Sequence, residues 1–177
     1  MAGPFTLRSA TPGDAARIAD LGRRTFTETF ADSNTAEDLR LFLDSTYSEA
    51  IQAAELADPA AAHLLVEVPG EAGNEAIGFA RLRRGEVPDC VPGPEPLELQ
   101  RIYVLRAWLG LKAGPALLEC CLDEARARGA QTLWLGVWER NDRARAFYRR
   151  YGFVEVGDHV FVVGTDPQRD VILARAL

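Results

Sequence analysis

Inward-facing residues follow two different rhythms along the chain. From Ala15 to Phe30 they recur at Ile18, Leu21, Thr25 and Phe26, the spacing of a helix with one buried stripe. Thr11-Pro-Gly-Asp14 in front of it supplies turn and cap chemistry, and Phe5-Thr-Leu-Arg8 alternates as a short first strand. Thr35 to Leu43 predicts a second helix with Thr35 as its N-cap, and Ser48 to Ala57 a third, closed by Asp58-Pro59. The rhythm then changes to that of strands. His63–Val68 and Ala76–Arg83 are rich in β-formers and flank a turn cluster at Pro69–Asn74, which predicts a hairpin. Val87–Pro96 holds four prolines in ten residues and predicts an irregular loop. Leu97–Leu105 is a long strand. Gly114–Arg128 carries the clearest helical stripe, Leu117, Leu118, Cys121, Leu122 and Ala125, with Pro115 at its start and Gly129 at its end. Thr132–Trp138 predicts a strand, Asn141–Tyr151 a short helix and Gly152–Gly157 a strand. Val160–Val163 and Val171–Ala176 can pair across Gly164–Pro167. Helices early, then strands with two late helices, imply an α/β class built on a mixed sheet covered by helices.

Length and charge narrow this picture. At 177 residues the chain fits one domain, spanning 5–177, large enough to fold without disulfides or metal. The three cysteines, Cys90, Cys120 and Cys121, have neither disulfide nor metal-ligand spacing and read as reduced thiols. Met1–Thr11 lacks the apolar run of a signal peptide, and no stretch has membrane-spanning length, so the expectation is a cytoplasmic protein without a membrane partner. The net charge of −6 disfavours nucleic acid as a partner. The charge is uneven: Asp14–Asp58 holds ten acids and four arginines, whereas Leu99–Tyr151 holds ten basic residues and five acids. Such asymmetry suggests two differently charged ligands on one domain.

Two segments carry chemistry. Leu97 to Leu118 is a strand, a small-residue loop and a helix start, whose free backbone N–H groups and positive dipole end suit a pyrophosphate. The second is Asn141-Asp-Arg-Ala-Arg-Ala-Phe-Tyr-Arg-Arg-Tyr-Gly-Phe153. Asn141, Ala144, Phe147-Tyr148 and Tyr151-Gly152-Phe153 resemble the signature of the GNAT superfamily of N-acetyltransferases. Leu135–Glu139 and Thr25–Phe30 are similar to a bacterial branch that includes polyamine acetyltransferases.

The resemblance implies a mostly antiparallel mixed sheet of six to seven strands with helices on both faces. It also implies acetyl transfer from acetyl-CoA, with no metal, to the primary amine of a small molecule by direct attack on the thioester. The pyrophosphate loop would be Leu109, Gly110, Leu111, Lys112, Ala113 and Gly114. Of the family's fixed loop positions, which fall on Leu109, Lys112 and Gly114, only Gly114 keeps the usual residue type. Lys112 stands where the family has glycine; in a left-handed conformation it would carry about 1 kcal/mol of strain and in exchange offer a charge to phosphate. Backbone groups of Ile102, Tyr103 and Val104 would pair with the pantetheine arm like an added strand. Asn141 would both cap its helix and touch the cofactor. Tyr148 would be the acid toward the departing thiolate.

A primary amine with a pKa of about 10.4 must lose a proton before it attacks. Glu98 is the first candidate for that base, and Glu28 the second. The acidic first third suggests a cationic acceptor such as a polyamine. A homodimer is a candidate assembly. The competing readings are a non-catalytic CoA-binding or regulatory module, motivated by Leu109 and Lys112, and a nucleotide-binding domain using the same helix start.

Overall fold

The computed structural model describes residues 5–71 and 73–177, so Met1–Pro4 of the N-terminal segment and Ala72 of the turn expected at 69–74 lie outside the described residues. The elements in chain order are β1 (Thr6–Ser9), α1 (Ala15–Phe30), α2 (Ala36–Thr46), α3 (Glu49–Leu56), β2 (Ala62–Gly70), β3 (Gly73–Arg83), β4 (Pro96–Val104), α4 (Ala113–Ala127), β5 (Thr132–Trp138), α5 (Asp142–Arg150), β6 (Val154–Val163) and β7 (Asp166–Ala176). Seven of these strands form one sheet in the order β1-β2-β3-β4-β5-β7-β6. Every neighbouring pair is antiparallel except β4 with β5, which is parallel.

Local chemistry sets the helix starts. The Thr35 hydroxyl accepts from the Asp38 amide at 3.1 Å, and Ser48 from Ile51 at 3.2 Å, so both caps sit where the spacing predicts them. Helix α4 begins at Ala113, one residue earlier than Gly114, because Lys112 takes the cap position. Pro115 therefore falls third in the helix, still inside the first turn where no intrahelical N–H bond is lost.

The β6–β7 hairpin is longer than the pattern predicts. Gly152–Gly157 and Val160–Val163 merge into one strand, because a bulge between Glu155 and Gly157 absorbs the break in alternation. Strand β7 starts at Asp166, so Pro167 lies within it, at an end that β5 does not reach; the last β5 pairing is Trp138 with Asp170.

Helices cover both faces of the sheet. Phe79 and Tyr103 face the α1–α3 side, where the Phe26 and Tyr47 rings meet them. Leu117, Leu118 and Cys121 of α4, each fully buried, cover the other face together with α5. The proline-rich segment 84–95 has no helix or strand, and its Cys90 and Val91 lie over Trp134, Ile172 and Ala174.

One pairing is short. β4 and β5 bond only over Pro96–Glu98 with Thr132–Trp134. Beyond Glu98 the two strands diverge, and β4 keeps a partner only in β3, up to Val104. The gap between them opens the sheet from face to face.

Candidate active site

The gap is a cavity of about 440 Å³, within the range of small-molecule sites. Its lining comes from both faces: Phe26, Thr29 and Phe30 of α1 on one, Gly114 and Pro115 of α4 and Ala144, Phe147 and Tyr148 of α5 on the other. Between them run Leu99–Val104 of β4, Gly136–Trp138 of β5, and Phe161, Val163, Gln168 and Asp170 of the β6–β7 hairpin.

The backbone of β4 presents an open edge here. The Leu105 amide donates to Ile77 of β3 at 2.8 Å. Alternation then turns the amides of Val104 and Ile102 away from β3, toward the cavity. Ile102, Tyr103 and Val104 all line it, as do Leu109, Gly110, Lys112 and Gly114. Gly110 has φ +85° and nothing within 4 Å of where a Cβ would stand. Lys112 has φ +66°, the left-handed conformation that a non-glycine residue holds at a cost of about 1 kcal/mol. The amides of Ala113 and Gly114 open α4 and have no backbone acceptor among the described residues. Leu111 and Ala113 do not line the cavity with their side chains; Leu111 is exposed and Ala113 fully buried.

On the same side, the Asn141 Oδ1 accepts from the Ala144 amide at 3.1 Å and starts α5. Two turns on, the Tyr148 ring stands edge-on to Phe147 and Phe153, with centroids at 5.3 and 5.6 Å. Its hydroxyl bonds to no described residue, and burial raises its pKa, so the phenol stays protonated. Arg143 and Arg150 add positive charge nearby. This half of the cavity, with free amides, an open strand edge and cations, fits a diphosphate joined to an amide-bearing arm.

The two carboxylates expected as bases lie elsewhere. Glu98 is on β4 but outside the cavity lining, its Oε2 holding Arg83 Nε at 2.5 Å. That partner comes from register: Arg83 faces Glu98 only because a bulge between Arg81 and Leu82 shifts β3 against β4. Glu28 accepts the Arg106 amide at 2.8 Å and ties α1 to the segment after β4, again outside the cavity.

The sequence reading missed Asp170. It is the one acid among the described residues that line the cavity. It is 7% exposed, accepts no hydrogen bond from the described residues, and burial raises its pKa to about 6. Cross-strand it sits between Trp138 of β5 and His159 of β6. His159 Nε2 stands 3.9 Å from Asp170 Oδ2, too far for a direct hydrogen bond. Gly136 keeps this space clear: a Cβ there would lie 2.8 Å from the His159 nitrogen and 3.4 Å from the carboxylate oxygen.

Residues 18–153 match the acetyltransferase (GNAT) family. The chain belongs to that family. It is 33% identical over 164 residues to an uncharacterized N-acetyltransferase in the pepI 3' region of Lactobacillus delbrueckii subsp. lactis, covering 93% of this chain and 92% of that one. An uncharacterized N-acetyltransferase of Mycobacterium tuberculosis is 32% identical over 164 residues, covering 93% and 98%. In fold, the chain is similar to the PaiA N-acetyltransferase of Thermoplasma acidophilum, solved in complex with coenzyme A, with TM-score 0.75, 19% identity and full coverage of both chains. The GNAT reaction is acetyl transfer from acetyl-CoA to an amine, and this chain is an acetyl-CoA-dependent N-acetyltransferase. Among the described residues, no group of three or more His, Cys, Asp or Glu is placed to hold a metal ion, and no helix is long and apolar enough to cross a membrane.

Proposed function

We propose that the chain acetylates the primary amine of a small molecule, with the two reactants entering the cavity from opposite faces of the sheet. The observation that carries this reading is the open β4–β5 seam, which puts α4's free amides and Tyr148 on one side and Asp170 on the other. Bound acetyl-CoA supplies an acetyl group activated as a thioester.

The rest falls to the chain's own residues. The α4 N-terminus with Lys112 holds the diphosphate, and the Ile102 and Val104 amides hold the arm. The Val104 amide also faces the region where a thioester oxygen gains charge. Asp170 binds the incoming ammonium and accepts its proton, directly or through water. A carboxyl with a pKa of about 6 is ionised at neutral pH yet more basic than an ordinary aspartate, so it serves both steps. Tyr148, kept protonated by burial, gives its hydrogen bond to the departing sulfur.

Incubation with acetyl-CoA and a panel of amines tests this by release of free thiol. Tyr148→Phe should slow release about tenfold or more with little change in CoA affinity. Wild-type turnover in that variant removes the phenol from the mechanism. Turnover on peptide or protein N-termini alone removes the small-molecule acceptor.

A further inference from the structure

We infer that the acceptor is a lipophilic monoamine, one ammonium group on an alkyl or arylalkyl body, rather than a polyamine or an amino acid. This rests on the acetyl-transfer reading above and concerns the half of the cavity on the α1 side. Its wall is aromatic: Phe26, Phe30, Tyr103, Trp138 and Phe161. The rings support one another, Phe26 with Phe30 at 4.5 Å, Phe30 with Trp138 at 6.1 Å and Phe26 with Tyr103 at 6.4 Å between centroids. Trp138 is the register partner of Asp170, so an ammonium group at that carboxylate also lies beside the indole.

Of the polar side chains on this wall, Thr29 and Gln168 have their donors engaged, and the Tyr103 hydroxyl and Trp138 indole carry no charge. Thr29 donates to the Thr25 carbonyl at 2.8 Å, and the Gln168 amide donates to Asn34 at 2.7 Å and Asp166 at 3.0 Å. A second ammonium group on the acceptor would lose its water among aromatic rings with no second acid to meet it, since Asp170 alone is acidic among the described lining residues. A carboxylate on the acceptor fares no better. Arg101 lines the cavity, but its guanidinium is held by both oxygens of Glu55, at 2.5 and 3.0 Å, and lies over the Tyr47 ring. The other cations of the lining, Lys112, Arg143 and Arg150, come from the α4–α5 side.

A matched series isolates each feature: hexylamine, 2-phenylethylamine, 1,6-diaminohexane and 6-aminohexanoate. Turnover is measured by thiol release, and binding to the CoA-saturated chain by calorimetry. Hexylamine and 2-phenylethylamine should exceed the diamine and the amino acid at least about tenfold in kcat/KM and in affinity. Phe161→Ala, a change at a half-buried position, should shrink the preference for hexylamine over ethylamine at least about threefold. A diamine or amino acid that equals or beats hexylamine overturns the inference. So does a chain that CoA stabilises against heat but that binds none of the monoamines. If CoA itself gives no stabilisation, the acetyl-transfer reading falls first, and the acceptor assignment with it.

Discussion

Asp14 and Asp170 are buried to nearly the same degree, 5% and 7% exposed, yet they behave in opposite ways. Asp14, in front of α1, receives both terminal nitrogens of Arg8 at 2.8 Å, the Thr11 amide at 2.8 Å and the Thr11 hydroxyl at 3.0 Å. Arg8 also holds Glu67, and these contacts keep the Asp14 carboxyl well below the usual aspartate range. Asp170 has no such partner, and burial alone lifts it to about 6. Burial by itself therefore does not mark a working carboxylate. A buried acid whose bonds are all made holds the fold; one left without partners beside a cavity costs stability and is open to a ligand.

The largest effect expected from this contrast is on catalysis. Asp170→Asn should lower kcat/KM by about 10²–10³-fold, measured with the best amine found. In the wild type, kcat/KM should rise with pH through about 6, as Asp170, with His159 Nε2 at 3.9 Å, loses its proton. Loss of that rise without loss of rate in Asp170→Asn would place the base elsewhere.

The same variant should be more stable than wild type, by up to about 3 kcal/mol at pH 8 in denaturant unfolding. The folded-state pKa of Asp170 lies above its unfolded value, so the native protein binds the extra proton and gains stability as pH falls through 6. The gap between variant and wild type should narrow over that range and close below about pH 4.

Asp14→Asn should do the reverse. It should lose about 2 kcal/mol at pH 7, discounted because Arg8 is partly exposed, with kcat per folded molecule unchanged. The depressed pKa of Asp14 makes this contribution complete above about pH 4 and lost as pH falls further. The smallest effect belongs to Glu98→Gln. With its carboxylate held by Arg83 outside the cavity, kcat/KM should stay within about twofold.

What could be read from the chain and what could not divide along the same physical line. Helices, strands and the α4 and α5 starts were legible because each depends on residues a few positions apart. That the α4–α5 side of the cavity would gather Gly110, Lys112, Gly114, Asn141 and Tyr148 was legible for the same reason: the first three lie within five positions, and the last two share one short helix. The α1 side of the cavity is assembled by long-range register. Asp170 falls between the turn read at Gly164–Pro167 and the strand read from Val171; only the pairing with Trp138 and His159 brings it to the cavity. An acid at the head of the apolar run Val171-Ile-Leu-Ala174 was the one available hint. The place of Glu98 outside the cavity was hidden for a related reason, since its partner Arg83 is set by a bulge that leaves no mark in the pattern.

The seam between β4 and β5 has a consequence for the order of binding and release. Under the function proposed above, a passage with a door on each side of a wall would let acetylated amine leave on the α1 side while free CoA is still in place on the other. Neither departure has to wait for the other, and no acetylated side chain need carry the group between them, so initial-rate lines for the two reactants should intersect rather than run parallel.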